Sequence, residues 1–239
     1  MKTKKKYRLT DESITHKCHK FYRIEAIKDF GDIKAGTKGG FVESERNLSH
    51  DGACWVFGNA LVFDGAAVHG NALVFDGAMV FENAHVYGDA MVCCYAHVCG
   101  NATVFGNAKV FGNAKVYGDA QVFGDARVLG NALVFDGAAV HGDAKVFGDA
   151  EVSGRARVYG SAVIRNNAIV RDDADYIVFK NWWSSGRFYT WTRSNNMWEV
   201  GCFYGTGDEL IARAYQNSDL SGREYERVVN YVKSILEET

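Results

Sequence analysis

The densest set of chemically capable side chains lies near the C-terminus. Arg187 and Arg193 flank Trp191, with Ser184, Ser185, Tyr189 and Thr190 close in sequence and Trp182, Trp183 and Trp198 nearby. A guanidinium grips a phosphate or carboxylate with a bidentate fork, and an indole offers a face on which a base can stack. Ser185, Arg187, Thr190, Trp191, Arg193 and Trp198 are therefore the predicted ligand-binding set, suited to a nucleotide-like small molecule, a single-stranded nucleic acid or a partner protein. The opposing expectation is structural: a small sheet needs large aromatics for its core, and the arginines then sit in water.

Other residues have the right types but the wrong company. His16, Cys18 and His19 are metal ligands by type, yet three candidates within four residues, without a distant partner pair, read as an exposed strand. Gly36, Thr37, Lys38, Gly39 and Gly40 lack the full phosphate-loop pattern, and the glycines read as tight turns. Cys93, Cys94 and Cys99 offer thiols with no base evident beside them. The six cysteines match neither a dense disulfide framework nor paired zinc ligands, so reduced thiols are expected, with no metal and no cofactor.

The elements that must position these residues are dominated by a repeat. On a period of six, a branched residue stands at every step from Val56 to Val170, valine except at Ile164, and alanine follows four residues later at all twenty positions from Ala60 to Ala174. Alanine, one variable residue and valine make a three-residue strand whose ends face inward and whose middle faces outward. Gly-Asn, Gly-Asp or Asp-Gly supplies the corner, because these residues tolerate positive φ. Residues 58–70 and 130–142 are identical, an offset of 72 residues, which marks an expanded scaffold and weakens any special role for His69 or His141.

This unit resembles that of the left-handed β-helix family of hexapeptide-repeat proteins, in which three hexapeptides complete one triangular coil. The resemblance implies a mainly β fold, a left-handed parallel β-helix of six to seven coils, with the hand taken from the family rather than from the period. Eighteen residues per coil at ~4.8 Å give a prism roughly 30 Å long. Stability then accumulates coil by coil, and both ends require caps. The expected organisation is an N-terminal cap and irregular first coil over 1–55, the helix over 56–174 and a small C-terminal α+β module over 175–239.

The residue after each valine is aromatic in twelve of twenty repeats, on all three faces, which favours stacking between coils over a single interface. Outward strand positions are apolar early (Trp55, Leu61, Ala67, Leu73, Met79, Met91) and basic later (Lys109, Lys115, Arg127, Lys145, Arg157), so the first coils need a cover. That cover is the N-terminal segment, the C-terminal module or another subunit; the family resemblance favours a homotrimer.

In the C-terminal module the sequence predicts strands over 176–183, 188–192 and 198–203, then two helices opened by capping boxes at Thr206/Glu209 and Ser221/Glu224. The segments SSGRFYTWT and WEVGCFYGTGDEL resemble a module attached to other repeat proteins of phages and prophages.

Composition sets limits. A net charge of -2 leaves no global basic field, so no strong duplex nucleic-acid binding is expected. The basic start at Lys2, Lys4, Lys5, Lys6 and Arg8 lacks the apolar stretch of a signal peptide, and no run reaches transmembrane length, which predicts a cytoplasmic protein without membrane contact. Acyltransferases of the hexapeptide family use a histidine base and commonly a loop that interrupts the coils. Here His69, His85, His97 and His141 lie within uninterrupted repeats. The functional expectation is a non-enzymatic scaffold and binding protein, phage or prophage encoded, acting as a counter-defence inhibitor or by sequestering a nucleotide signal. The alternatives are an acyltransferase and a structural virion or spacer protein.

Overall fold

Because the hexapeptide places alanine and valine inward and keeps every chain step the same length, successive coils stack in register without insertions. The computed structural model describes residues 5–16 and 18–237, so Lys2 and Lys4 of the basic start lie outside the described residues. It shows a parallel β-solenoid of about seven turns with an N-terminal hairpin and a C-terminal sheet-and-helix module. The first face runs in seven strands from Trp55–Val56 to Val163–Asn166, and the third in six from Ala67–Val68 to Arg157–Val158. The second face begins at Leu61–Val62 and ends at Ile169–Val170; the N-terminal strands extend that sheet to ten.

Every inward branched residue from Val56 to Val170 is fully buried. A buried valine contributes ~1.5 kcal/mol, so each coil adds a similar increment along the axis. The alanine column ends one step earlier than the sequence pattern: Ala174 is exposed in a 3-10 turn, Asp173–Asp175, where the coil stops.

The first residue of each corner is left-handed. Glycine usually takes it, but in the inverted Asp-Gly corners an aspartate does, with φ of 55° at Asp64 and 60° at Asp76. The Asn/Asp column also links neighbouring coils: Asn101 Nδ2 donates to Asp119 Oδ1 at 2.9 Å, and Asn107 to Asp125 at 3.0 Å. Aromatic stacking is strongest on one edge, where His69, Tyr87, Phe105, Phe123, His141 and Tyr159 form an unbroken ladder with centroids 4.7 to 5.5 Å apart.

At the N-terminus β1 (Tyr7–His16) and β2 (His19–Ala26) form an antiparallel hairpin, and β3 (Lys38–Val42) joins the coils by pairing Phe41–Val42 in parallel with Leu61–Val62. Phe21 and Phe41 cover Leu61, while Phe30 and Tyr7 pack on the fully buried Trp55. The N-terminal segment is thus the cover for the start of the apolar stripe. Gly36 does sit in a turn with φ of 85°, but Gly39 and Gly40 lie inside β3, contrary to the turn expectation. A Cβ on Gly39 would come within 2.6 Å of Val56 O and 2.7 Å of Trp55, so glycine there permits close approach to the first coil.

The C-terminal sheet is antiparallel: Tyr176–Lys180, Phe188–Thr192, Met197–Val200 and Phe203–Gly205. Its first strand ends before Trp182 and Trp183, and the stretch expected as one strand over 198–203 is a hairpin turning at Gly201, whose φ is 62°. Helix α1 (Gly207–Asn217) opens at Thr206 with Glu209 in its capping box, as expected. Helix α2 (Asp219–Glu237) begins earlier than the sequence suggested, because Ser218 Oγ accepts from Ser221 N–H at 3.1 Å and places Ser221 inside the first turn.

The two solenoid ends expose opposite backbone groups. Each coil donates N–H toward the C-terminal side, as when Trp55 N–H reaches Ala72 O at 3.1 Å, so carbonyls are left over at the start and N–H groups at the finish. Cations and hydroxyls cap the carbonyl end. The buried Lys6 ammonium donates to Gly52 O and Cys54 O at 3.0 Å, Tyr7 Oη to Leu48 O at 2.7 Å, and Arg23 to Gly39 O at 2.7 Å. Side-chain oxygens cap the N–H end: Thr190 Oγ1 accepts from Val163 at 3.0 Å, Ser194 Oγ from Ile169 at 2.7 Å and Asp173 from Arg157 at 2.7 Å.

Candidate functional site

The predicted ligand set separates into two groups once the module folds. Trp191, Trp198 and Thr190 are each 1% exposed. Both indoles belong to the module core with Tyr189, Leu210, Tyr225 and Val229, so neither ring has a face open to a base. Thr190 is engaged by the last coil, and Trp191 Nε1 donates to Asn196 Oδ1 at 2.9 Å. Arg193 holds the hairpin turn through its backbone N–H to Asp175 O at 2.8 Å, and its Nε is buried without a hydrogen-bond partner.

Ser185 and Arg187 are exposed and do come together. They rim a recess of about 170 Å³ with Asn181, Phe188, Tyr189, Gly201 and Tyr225. The turn that carries them is fixed by Asn181, whose Oδ1 accepts from Ser184 N–H at 2.9 Å and whose Nδ2 donates to Tyr225 Oη at 3.0 Å. Tyr189 is 1% exposed and its hydroxyl has no hydrogen-bond partner. Burial raises its pKa above the usual phenol range, so the hydroxyl stays a proton donor. An orphaned buried hydroxyl is costly to leave unmet. Among the described residues no carboxylate lines the recess, although Glu224 lies near enough to push the Tyr189 phenol further up, and the phenols and guanidinium of the lining suit an acceptor-rich, anionic group. Tyr189 was not in the predicted set; its neighbour Arg187 was the usable signal.

The remaining candidates fare differently. Burial pushes the Cys93 thiol up to about 12 and the Cys99 thiol to about 11, the reverse of what a nucleophile needs. His69 and His141 are rungs of the aromatic ladder, and burial, with His85 adding to it, lowers the pKa of His69. His19 acquires the distant partners that the sequence spacing did not reveal: its Nδ1 lies 3.0 Å from Glu43 Oε1 and 3.6 Å from Asp64 Oδ1. The hydrogen bond with His19 is the main cause holding the Glu43 carboxyl below its ordinary range. Cys18 is exposed.

The repeat, the parallel faces and the uninterrupted corners define a hexapeptide-type β-solenoid protein. A family model described as the YdcK beta solenoid repeat matches residues 120–134 and 150–166. The chain is 38% identical over 73 residues to a protein of Escherichia coli (strain K12) named "Uncharacterized acetyltransferase YdcK". That match takes in 27% of this chain and 22% of the relative, so the chain spans about a fifth of the protein it matches. Among the described residues, no helix is long and apolar enough to cross a membrane.

Proposed function

We propose that the chain is a non-enzymatic binding scaffold in which the solenoid is a rigid support and the C-terminal module takes an anionic group in the recess rimmed by Ser185 and Arg187. The observation that carries this reading is the partnerless Tyr189 hydroxyl, buried at a recess whose rim bears a guanidinium. About 170 Å³ is smaller than the ~300 Å³ at which whole-ligand pockets begin. The recess therefore accommodates a phosphoryl or carboxylate end, belonging to a nucleotide-like molecule or to a partner protein, while the rest of the ligand lies outside against Phe188. Inhibition of a host defence protein or sequestration of a nucleotide signal by a phage-encoded protein is one concrete form, and a homotrimer is its expected assembly.

Native mass spectrometry of the protein purified from its host reads subunit number and retained mass together. A defined oligomer carrying a nucleotide-sized adduct, lost in both Arg187→Ala and Tyr189→Phe, is the expected result; a species with no adduct and no co-purifying protein would sink the reading.

A second reading, acyl transfer, is favoured by the name of the E. coli relative. It requires a histidine base with room for a substrate, whereas His69 and His141 are stacked between coils. Acyl transfer from an acyl-CoA that disappears in His69→Ala or His141→Ala would reverse the ranking.

A further inference from the structure

We propose that His19, Glu43 and Asp64 bind one divalent transition-metal ion where the N-terminal hairpin meets the first regular coil. The three residues come from β2, from the residue after β3 and from the corner following Leu61–Val62. Their ligand atoms all lie within 4.8 Å of one another. Zinc-class ions sit about 2.0–2.2 Å from such atoms, which sets neighbouring ligands about 2.8–3.1 Å apart in octahedral and about 3.3–3.6 Å apart in tetrahedral arrangement. The observed 3.0 and 3.6 Å from His19 Nδ1 match two of those edges, and the third lies within 4.8 Å.

The donor set selects the ion. One imidazole nitrogen and two carboxylate oxygens suit the borderline ion Zn²⁺, or Mn²⁺, a harder ion that takes carboxylates and accepts imidazole, better than calcium, which prefers all-oxygen shells, or cuprous ion, which prefers sulfur. Each carboxylate is also aimed. Glu43 Oε2 accepts from Asp64 N–H at 2.7 Å and Asp64 Oδ2 from Glu82 N–H at 3.3 Å, which leaves one oxygen of each turned toward His19. The Asp-Gly inversion of this corner matters here, because the usual Gly-Asp order would put no carboxylate at position 64.

Beside the trio lies a recess of about 230 Å³ lined by His16, Phe21, Phe63, Met79, Phe81 and Glu82 as well as His19 and Asp64. Three protein ligands leave at least one coordination position, which opens onto this recess and is filled by water or by an incoming oxygen ligand. The ion would also tie three separate chain segments together and so stabilise the N-terminal cap.

The test is isothermal titration of the full chain, freed of metal with a chelator, using Zn²⁺ and then Mn²⁺, which thiols bind poorly. One ion per chain is expected, with at least about tenfold weaker binding in His19→Ala and Asp64→Asn and no change in His141→Ala. Asparagine tolerates the positive φ at position 64, so Asp64→Asn keeps the fold and the test if His19→Ala fails to fold. Saturating Mn²⁺ should raise the wild-type melting temperature and leave that of Asp64→Asn unmoved. Absence of stoichiometric binding to wild type, or binding unchanged by both substitutions, would overturn the assignment and leave the trio a hydrogen-bonded ion pair.

Discussion

The two ends of the solenoid meet opposite demands by different physics. At the start, leftover carbonyls receive an ammonium, a phenol and a guanidinium, and the capping residues share the core of the coils: Tyr7, Ile24 and Trp55 lie in one continuous apolar cluster with the valine column. At the finish, leftover N–H groups receive a carboxylate from the closing 3-10 turn and hydroxyls from a module whose main core is separate, built on Tyr189, Trp191, Trp198, Leu210 and Val229. One cap is part of the solenoid, and the other is docked onto it. A repeat whose every coil is alike leaves little room for specific chemistry in its middle, so both sites proposed above lie where the repeat is broken.

If the N-terminal cap shares the solenoid core, damage there must propagate. Trp55 is fully buried against Tyr7 and Phe30, with centroids at 6.1 and 5.3 Å. Trp55→Ala is expected to cost about 3–5 kcal/mol and to lower the main unfolding transition of the coils, followed by far-ultraviolet circular dichroism. Trp198→Ala removes a comparable side chain from the other core, about 3 kcal/mol, but should lower only a separate module transition and leave the coil transition in place. A single shared transition in both variants would break the distinction.

The docked interface should give a smaller effect. Arg165 Nη1 pairs with Glu199 Oε2 at 2.7 Å and lies over the Tyr204 and Phe147 rings, joining the last coil to the module. Burial raises the Glu199 pKa against the pull of Arg165, so the carboxylate form is a burden that the pair only partly offsets. Glu199→Gln leaves the partly exposed Arg165 without its counter-charge. A loss of roughly 1 kcal/mol is expected, seen as faster proteolysis at the junction with the coil transition unchanged.

The same contrast explains what the sequence made legible. Period-six valine and alanine specify the coils directly, because an inward residue must be small and apolar at every step, and the aromatic column announces its own stacking. The caps have no period. Lys6 reads as one more charge in a basic run, yet the structure buries it under three carbonyls. His19, Glu43 and Asp64 span 46 residues of chain and meet only when β3 pairs with the first coil. In the module, tryptophan type alone does not distinguish a stacking platform from a core residue; Trp191 and Trp198 lie on the sheet face that packs in the module core, and their neighbours Thr190 and Glu199 are buried on the other face against the last coil. Arg187 is exposed because it follows a turn that no core absorbs.

The smallest predicted effect concerns acid. The His50 ring packs tilted against Tyr7 with centroids 4.3 Å apart, its Nδ1 accepts from the Lys6 N–H at 3.4 Å, and its Nε2 is buried without a hydrogen-bond partner. Burial holds its pKa below 6.5 despite Glu45 nearby. The unfolded chain then takes up a proton that the folded cap refuses, so stability rises with pH across the window that ends at 6.5 and is lost as pH falls below it. Acidification from pH 7 to 5 should therefore lower the coil transition in the wild type. His50→Gln should flatten that slope between pH 6.5 and 5 while leaving the module transition as it was. An undiminished slope in His50→Gln would place the acid sensitivity elsewhere, with the Glu43 carboxylate, whose lowered pKa gives stability that is lost only as pH falls below 4.5, excluded by its lower window.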